Sequence, residues 1–303
     1  MRVAAVDVGT NSVRLLVAET GDPLTEVARE MRITRLGSGV DATGHLDDAA
    51  LARTLDCIDD YAQRWTALEA DRVRVTATSA VRDAADRDRF FDGVADRTGV
   101  RPEVLTGDEE ARTAFAGATR SVTGTVAPVL VLDIGGGSTE LIIGEQEPHA
   151  MVSLQLGCVR LTESRLGGDP PTVAQLAAAR RTVDGHLADA DERLDAGAAR
   201  SLVGVAGTVT TLAALHLGLP AYLPERIHGC RVPVAGVRAL NDRLAGMRTR
   251  EIGALGAMAP GREDVIVGGA IILERVMSRY GFAEVLVSEA DILDGLALAL
   301  LEG

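Results

Sequence analysis

An aspartate at the end of an apolar run, followed at once by glycine and hydroxyl side chains, occurs twice in this sequence. The first case is Asp7-Val8-Gly9-Thr10-Asn11-Ser12. Gly9 lets the backbone turn sharply and present N–H groups toward an anion. Thr10, Asn11 and Ser12 add side-chain donors, and Asp7 stands where it could hold a divalent cation through water. A hairpin turn with Asx and Ser capping would account for the same residues without a ligand. The second case, Asp133-Ile134-Gly135-Gly136-Gly137-Ser138-Thr139-Glu140, is more demanding. Consecutive glycines lose conformational entropy on folding, and a tight hairpin needs only one or two. Close approach of the backbone to a phosphate accounts for the third. Asp133 and Glu140 bracket the loop with carboxylates suited to Mg²⁺.

The flanking pattern predicts elements that would carry these turns. Residues 3–7 and 12–18 are apolar runs that read as strand–turn–strand, and residues 24–36 offer another strand before Gly37-Ser38-Gly39. Leu51, Leu55, Ile58, Ala62 and Trp65 recur at steps of three and four, an amphipathic helix. Residues 73–78 alternate as a half-buried strand, a polar helix is predicted near 83–98, a short strand at 103–106, and a helix opening at Asp108-Glu109-Glu110. After residues 124–128 the opening pattern returns: apolar strand, Asp133, glycine turn, strand. Such a repeat predicts two related α/β domains with a phosphate-binding cleft between them. The boundary falls near 125, giving a domain 1–124, joined by the C-terminal helix 290–303, and a domain 125–289. Within the second half, Thr172 and Gln175 form a capping box for a helix at 173–190. Residues 201–206 read as a strand, stopped by Gly207-Thr208 before a helix at 209–217. A helix at 264–280, a strand at 284–288 and an apolar helix at 290–301 complete the pattern.

Composition limits what this frame can do. The 303 residues suggest about two domains, and 47% hydrophobic with 25% charged residues is ordinary for a globular protein. No apolar run approaches the roughly 20 residues of a membrane-spanning helix. The N-terminus does not read as a secretory signal, so the expected location is the cytoplasm, with no membrane partner. Cys57, Cys158 and Cys230 are far apart, and the five histidines are scattered without metal-ligand spacing. Net charge is −13 and every basic residue is Arg, which excludes a P-loop lysine and argues against bulk-charge binding of nucleic acid. An acidic chain can still hold a polyanion if a metal and oriented N–H groups neutralise it locally.

Taken together, the two turns resemble the phosphate-binding motifs of the actin-like superfamily, with its ribonuclease H-like domains. More narrowly, the chain resembles the exopolyphosphatase and guanosine pentaphosphate phosphohydrolase family. The resemblance rests on the two turns, on Thr106-Gly107-Asp108-Glu109-Glu110-Ala111-Arg112, on Leu156-Gly157-Cys158-Val159-Arg160, and on Gly207-Thr208. These occur in family order across essentially the whole chain. The match is to the short two-domain form, without the extra C-terminal helical domain of longer members. One departure is Ser288-Glu289-Ala290-Asp291, where the family pattern would be Ser-Asp-Gly.

The resemblance implies roles. Glu110 would orient and deprotonate the attacking water, while Glu109 complements the positive end of its helix. Arg82 would contact phosphate and offset charge in the transition state. Gly9, Thr10, Asn11, Ser12, Gly135, Gly136, Gly137, Ser138, Thr139, Gly207 and Thr208 would cradle phosphate. Asp133, with Asp7 and Glu140, would hold Mg²⁺ or Mn²⁺. Arg14, Arg29, Arg32 and Arg35 either extend a track for a long polyanion or form a solvated strand face. The implied activity is exopolyphosphatase, releasing terminal phosphate from inorganic polyphosphate, with short chains favoured by the short form. Hydrolysis of guanosine pentaphosphate is the alternative within the family. Outside it stand a kinase or ATPase and a non-catalytic sensor of guanosine tetra- or pentaphosphate. Gly268-Gly269-Ala270 resembles an adenosine-binding turn but reads better as the interior of a buried helix. The family also implies a homodimer.

Overall fold

A computed structural model describes residues 1–21, 24–259 and 261–302 of the chain. It divides into two compact units, Met1–Arg120 with Asp291–Gly303, and Ser121–Ala290.

In the first unit the strands are β1 (Arg2–Val8), β2 (Ser12–Glu19), β3 (Thr25–Ile33), β4 (Arg72–Ala77) and β5 (Glu103–Val104). They form one sheet in the order β3-β2-β1-β4-β5, with β1 antiparallel to β2 and parallel to β4. Val3, Ala4, Ala5, Val6 and Val8 are all buried, as expected of a central strand covered on both faces. The helices are α1 (Val40–Thr43), α2 (Asp48–Ala67), α3 (Ser79–Asp83), α4 (Asp88–Thr98) and α5 (Gly107–Ser121). On α2 the side chains of Leu51, Leu55, Ile58, Tyr61 and Trp65 enter the core, and Asp47 caps the helix by accepting from the Ala50 N–H at 2.9 Å. The polar helix predicted near 83–98 is present as α4, which begins at Asp88, and a separate short helix, α3, precedes it. Ala84 is extended where they part, and the Asp86 carboxylate accepts from the Leu46 N–H at 3.0 Å and from Arg89.

The second unit repeats this plan. Its strands are β6 (Val129–Ile134), β7 (Thr139–Gly144), β8 (Pro148–Leu154), β9 (Ser201–Val205), β10 (Arg231–Pro233) and β11 (Glu284–Val287). Their order, β10-β11-β9-β6-β7-β8, contains β8-β7-β6-β9-β11, the counterpart of β3-β2-β1-β4-β5, with β10 added at the edge. Its helices are α6 (Cys158–Arg165), α7 (Val173–Asp191), α8 (Ala206–His216), α9 (Pro224–Ile227), α10 (Val234–Ala245), α11 (Thr249–Gly253) and α12 (Ile266–Tyr280). The Thr172–Gln175 capping box is present at the start of α7. Gly207 and Thr208 do not separate β9 from a later helix. Ala206 takes a φ of 62°, and α8 starts there, so both residues lie in its first turn. Gly268 and Gly269 are interior to α12 and buried, and a Cβ on Gly269 would stand 2.3 Å from Thr208 Cγ2. Their small size lets α12 pack on α8; they do not form a nucleotide-binding turn.

After β11 the chain returns to the first unit as α13 (Ile292–Glu302), which packs on β1, β2 and β4. It also meets α5 at backbone distance. A Cβ on Gly117 would stand 1.9 Å from the Asp291 carbonyl oxygen, and one on Gly295 would stand 2.0 Å from that of Thr113. Because the obstructing atoms are backbone, neither helix can yield by rotating a side chain. Gly117→Ala is therefore expected to destabilise the protein by about 1–3 kcal/mol, read as a lower denaturant midpoint.

Candidate active site

The first turn joins β1 to β2 and is closed by the Gly9 N–H donating to the Ser12 carbonyl at 2.9 Å. Two of its other carbonyls are held from outside. Thr10 O accepts from Gly37 N at 2.9 Å, and Asn11 O accepts from the N–H groups of Thr34 and Arg35 at 3.1 and 3.0 Å. Fixing those carbonyls fixes the peptide planes of the turn, which is what an anion-binding backbone requires. The Thr10 hydroxyl is hydrogen-bonded to the Ser79 hydroxyl at 2.9 Å. Asp7 lies in β1, 4% exposed, directly across from Arg14 of β2. Its Oδ2 accepts from Arg14 Nη2 at 2.7 Å and Nε at 3.2 Å. Burial pushes the Asp7 carboxyl above its ordinary range, and Arg14 opposes that shift. Arg14 occupies only Oδ2; the buried Oδ1 has no hydrogen-bond partner, so one carboxylate oxygen remains for the metal role that the resemblance implied.

The second turn has the same closure, Gly135 N to Ser138 O at 3.0 Å. Its glycine carbonyls are capped by the start of α6: Gly135 O accepts from Cys158 N at 2.9 Å, and Gly136 O from Val159 N at 3.0 Å and Arg160 N at 3.2 Å. Gly157 makes this possible, since a Cβ there would stand 2.2 Å from the Gly136 carbonyl oxygen. Asp133 and Glu140 sit inside β6 and β7 rather than in the loop, paired across the hairpin and 6% and 1% exposed. Ser153 of β8 donates to Glu140 Oε1 at 2.7 Å. Carboxylate and hydroxyl oxygens are the donors that a hard divalent cation takes. Among the described residues, no group of three or more His, Cys, Asp or Glu could hold a metal ion. A cation here would have to complete its shell with water or phosphate oxygens, as Mg²⁺ commonly does.

Two hydroxyls assigned to phosphate have structural partners. Thr139 Oγ1 donates to the Leu156 carbonyl, and Thr208 Oγ1 donates to that of Ile134 at 3.1 Å. Gly207 leaves room for the Arg262 guanidinium, whose nitrogens would lie 2.0 and 2.1 Å from a Cβ at that position. Sequence reasoning missed Arg262, which is more than fifty positions from Gly207 and follows no spacing rule. The arginine track is also engaged: Arg14 by Asp7 and Asp291, Arg29 by Glu26 and Asp294, and Arg32 by Asp60.

The two glutamates of α5 divide their work. Glu109 accepts from the Thr106 N–H at 2.9 Å and hydroxyl at 2.8 Å, while Thr106 Oγ1 accepts from the Glu109 N–H at 3.2 Å. This is a capping box, and the Thr106 N–H holds the Glu109 carboxyl below its ordinary range. Glu110, 7% exposed, instead meets Arg82 Nη1 through Oε2 at 3.2 Å. Arg82 Nη1 also donates to the Leu105 carbonyl at 3.0 Å, anchoring the pair. The structure thus brings Glu110 and Arg82 together and leaves Glu109 to the helix end.

Two units of one strand order, each with an aspartate and a glycine turn at the end of its central hairpin, define an α/β protein built from two actin-like, ribonuclease H-like domains. The Ppx/GppA phosphatase family model matches residues 15–302, and the chain belongs to that family. It is 47% identical to exopolyphosphatase 2 of Mycobacterium tuberculosis over 99% of this chain and 98% of the relative. The crystal structure of an exopolyphosphatase-like protein superposes with a TM-score of 0.96 at 38% identity, covering 99% of this chain and 98% of that one. A Ppx/GppA family member from Aquifex aeolicus gives a TM-score of 0.82 at 29% identity, covering 100% and 98%. No helix among the described residues is long and apolar enough to cross a membrane.

Gly157→Ala would push the α6 start away from the glycine carbonyls it caps. Binding of tripolyphosphate, measured by calorimetry, is expected to weaken about tenfold or more while circular dichroism stays that of the wild type.

Proposed function

We propose that the protein is a cytoplasmic exopolyphosphatase that releases orthophosphate from the end of inorganic polyphosphate. The observation that carries this reading is Glu110: buried, acidic, held by Arg82, and relieved of helix capping by its neighbour Glu109. A carboxylate in that state can take a proton from water. Family membership and the 47% identity to an exopolyphosphatase supply the substrate class.

In this reading the backbone N–H groups at Thr10 and Asn11, and at Gly136 and Gly137, bind phosphate oxygens, with Gly9 and Gly135 closing the turns that present them and Asn11, Ser12 and Ser138 adding side-chain donors. Asp133, with Asp7 and Glu140, would hold Mg²⁺ or Mn²⁺, which when bound would offset phosphate charge. Glu110 orients water toward the terminal phosphorus and accepts its proton as the new P–O bond forms. The bridging P–O bond breaks, and the shortened chain leaves with the bridging oxygen. Arg82 fixes Glu110 and stands ready to meet charge that develops on the transferred phosphoryl group. Thr139 and Thr208 support the site through carbonyls rather than through phosphate. With Arg14, Arg29 and Arg32 paired to carboxylates, short chains are the preferred substrates, and the working form is a homodimer.

Phosphate release from polyphosphates of defined length, with guanosine pentaphosphate in parallel, tests the proposal. Wild type should release phosphate from polyphosphate faster than from the nucleotide. Glu110→Gln should lower kcat at least about a hundredfold, whereas Glu109→Gln should change it less than about twofold. Release from neither substrate would overturn the proposal, and preference for the nucleotide would transfer it to the guanosine pentaphosphate hydrolases.

A further inference from the structure

Arg14 does not serve Asp7 alone. Its Nη1 is bonded to Asp291, a carboxylate 277 positions away and 3% exposed, while Nη2 and Nε hold Asp7. Asp291 is the first residue of the segment that returns to the first unit. It sits where the sequence departs from the expected Ser-Asp-Gly pattern. Its Oδ1 accepts from the Leu293 N–H at 3.0 Å, and its own N–H donates to Asp294 Oδ2 at 2.9 Å, so it is locked into the start of α13. Asp294 in turn binds Arg29 of β3 at 2.8 Å. The same end of α13 touches α5 backbone to backbone, the Asp291 carbonyl lying against Gly117, and α5 carries Glu110 at its other end. One helix terminus therefore registers both the strand that ends in the first turn and the helix that bears the candidate base.

We propose that Asp291 is a positioning residue: by holding Arg14, it fixes the guanidinium that orients Asp7 beneath the first turn. The inference rests on the hydrolase reading of that turn. A guanidinium shared by two buried carboxylates has one geometry, whereas one bound to Asp7 alone can pivot and carry Asp7 with it. A displacement of about 1 Å in a positioning group is enough to slow turnover without removing binding.

Three substitutions separate positioning from stability. Asp291→Ser keeps an acceptor for the Leu293 N–H but is too short to reach Arg14. Its melting temperature should stay within about 3 °C of wild type, a helix-capping change of less than about 1 kcal/mol. Its kcat on tripolyphosphate should fall about tenfold with KM changed less than about twofold. Asp291→Asn, which can still accept from Arg14, should recover most of the lost kcat. Arg14→Ala combined with Asp291→Ser should be no slower than Arg14→Ala alone. Wild-type kcat in Asp291→Ser, or additive effects in the double variant, would overturn the inference. A wild type that releases no phosphate would instead sink the hydrolase reading. In that event a double-variant cycle on melting temperature still reads the link, and additivity there would overturn it.

Discussion

A carboxylate at the buried end of a central strand has to be given a counter-charge, and this protein meets that requirement differently in its two units. The hairpins are equivalent: Asp7 opposes Arg14 across β1 and β2, and Asp133 opposes Glu140 across β6 and β7. In the first unit the partner is a guanidinium supplied by the chain. In the second the residue opposite is another buried carboxylate, Glu140, which accepts from Ser153. The same fold element thus sets a carboxylate against a guanidinium in one unit and against a second carboxylate in the other.

Much of the remaining architecture restrains these two hairpins. Both turns are closed by a glycine N–H on a serine carbonyl, and both have other carbonyls occupied from outside, by residues 34, 35 and 37 in one case and by the first turn of α6 in the other. Several polar groups that look functional in isolation are spent on this restraint. Thr139 and Thr208 hold carbonyls, Ser153 holds Glu140, and Glu109 closes a capping box.

Local features were legible in the sequence and long-range ones were not. The repeated Asp-Gly pattern announced two sheets of one order, and the spacing of Leu51, Leu55, Ile58 and Trp65 announced α2, because both follow from short periodicities. The Thr172–Gln175 box was readable for the same reason. Propensity misled where tertiary contact decided: Gly207 reads as a breaker, yet its missing side chain admits Arg262 and the helix begins before it. Asp133 and Glu140 read as loop residues because glycines lie between them, although strand pairing extends to Ile134 and Thr139 and leaves only four residues in the loop. The Arg14–Asp291 contact joins opposite ends of the chain, and no local pattern encodes it.

The asymmetry between the hairpins can be measured without substrate. Calorimetric titration of Mn²⁺ into wild type, Asp133→Asn and Asp7→Asn should show a bound divalent ion that Asp133→Asn loses and Asp7→Asn retains. Loss of the ion in Asp7→Asn with retention in Asp133→Asn would contradict a metal held by the second hairpin.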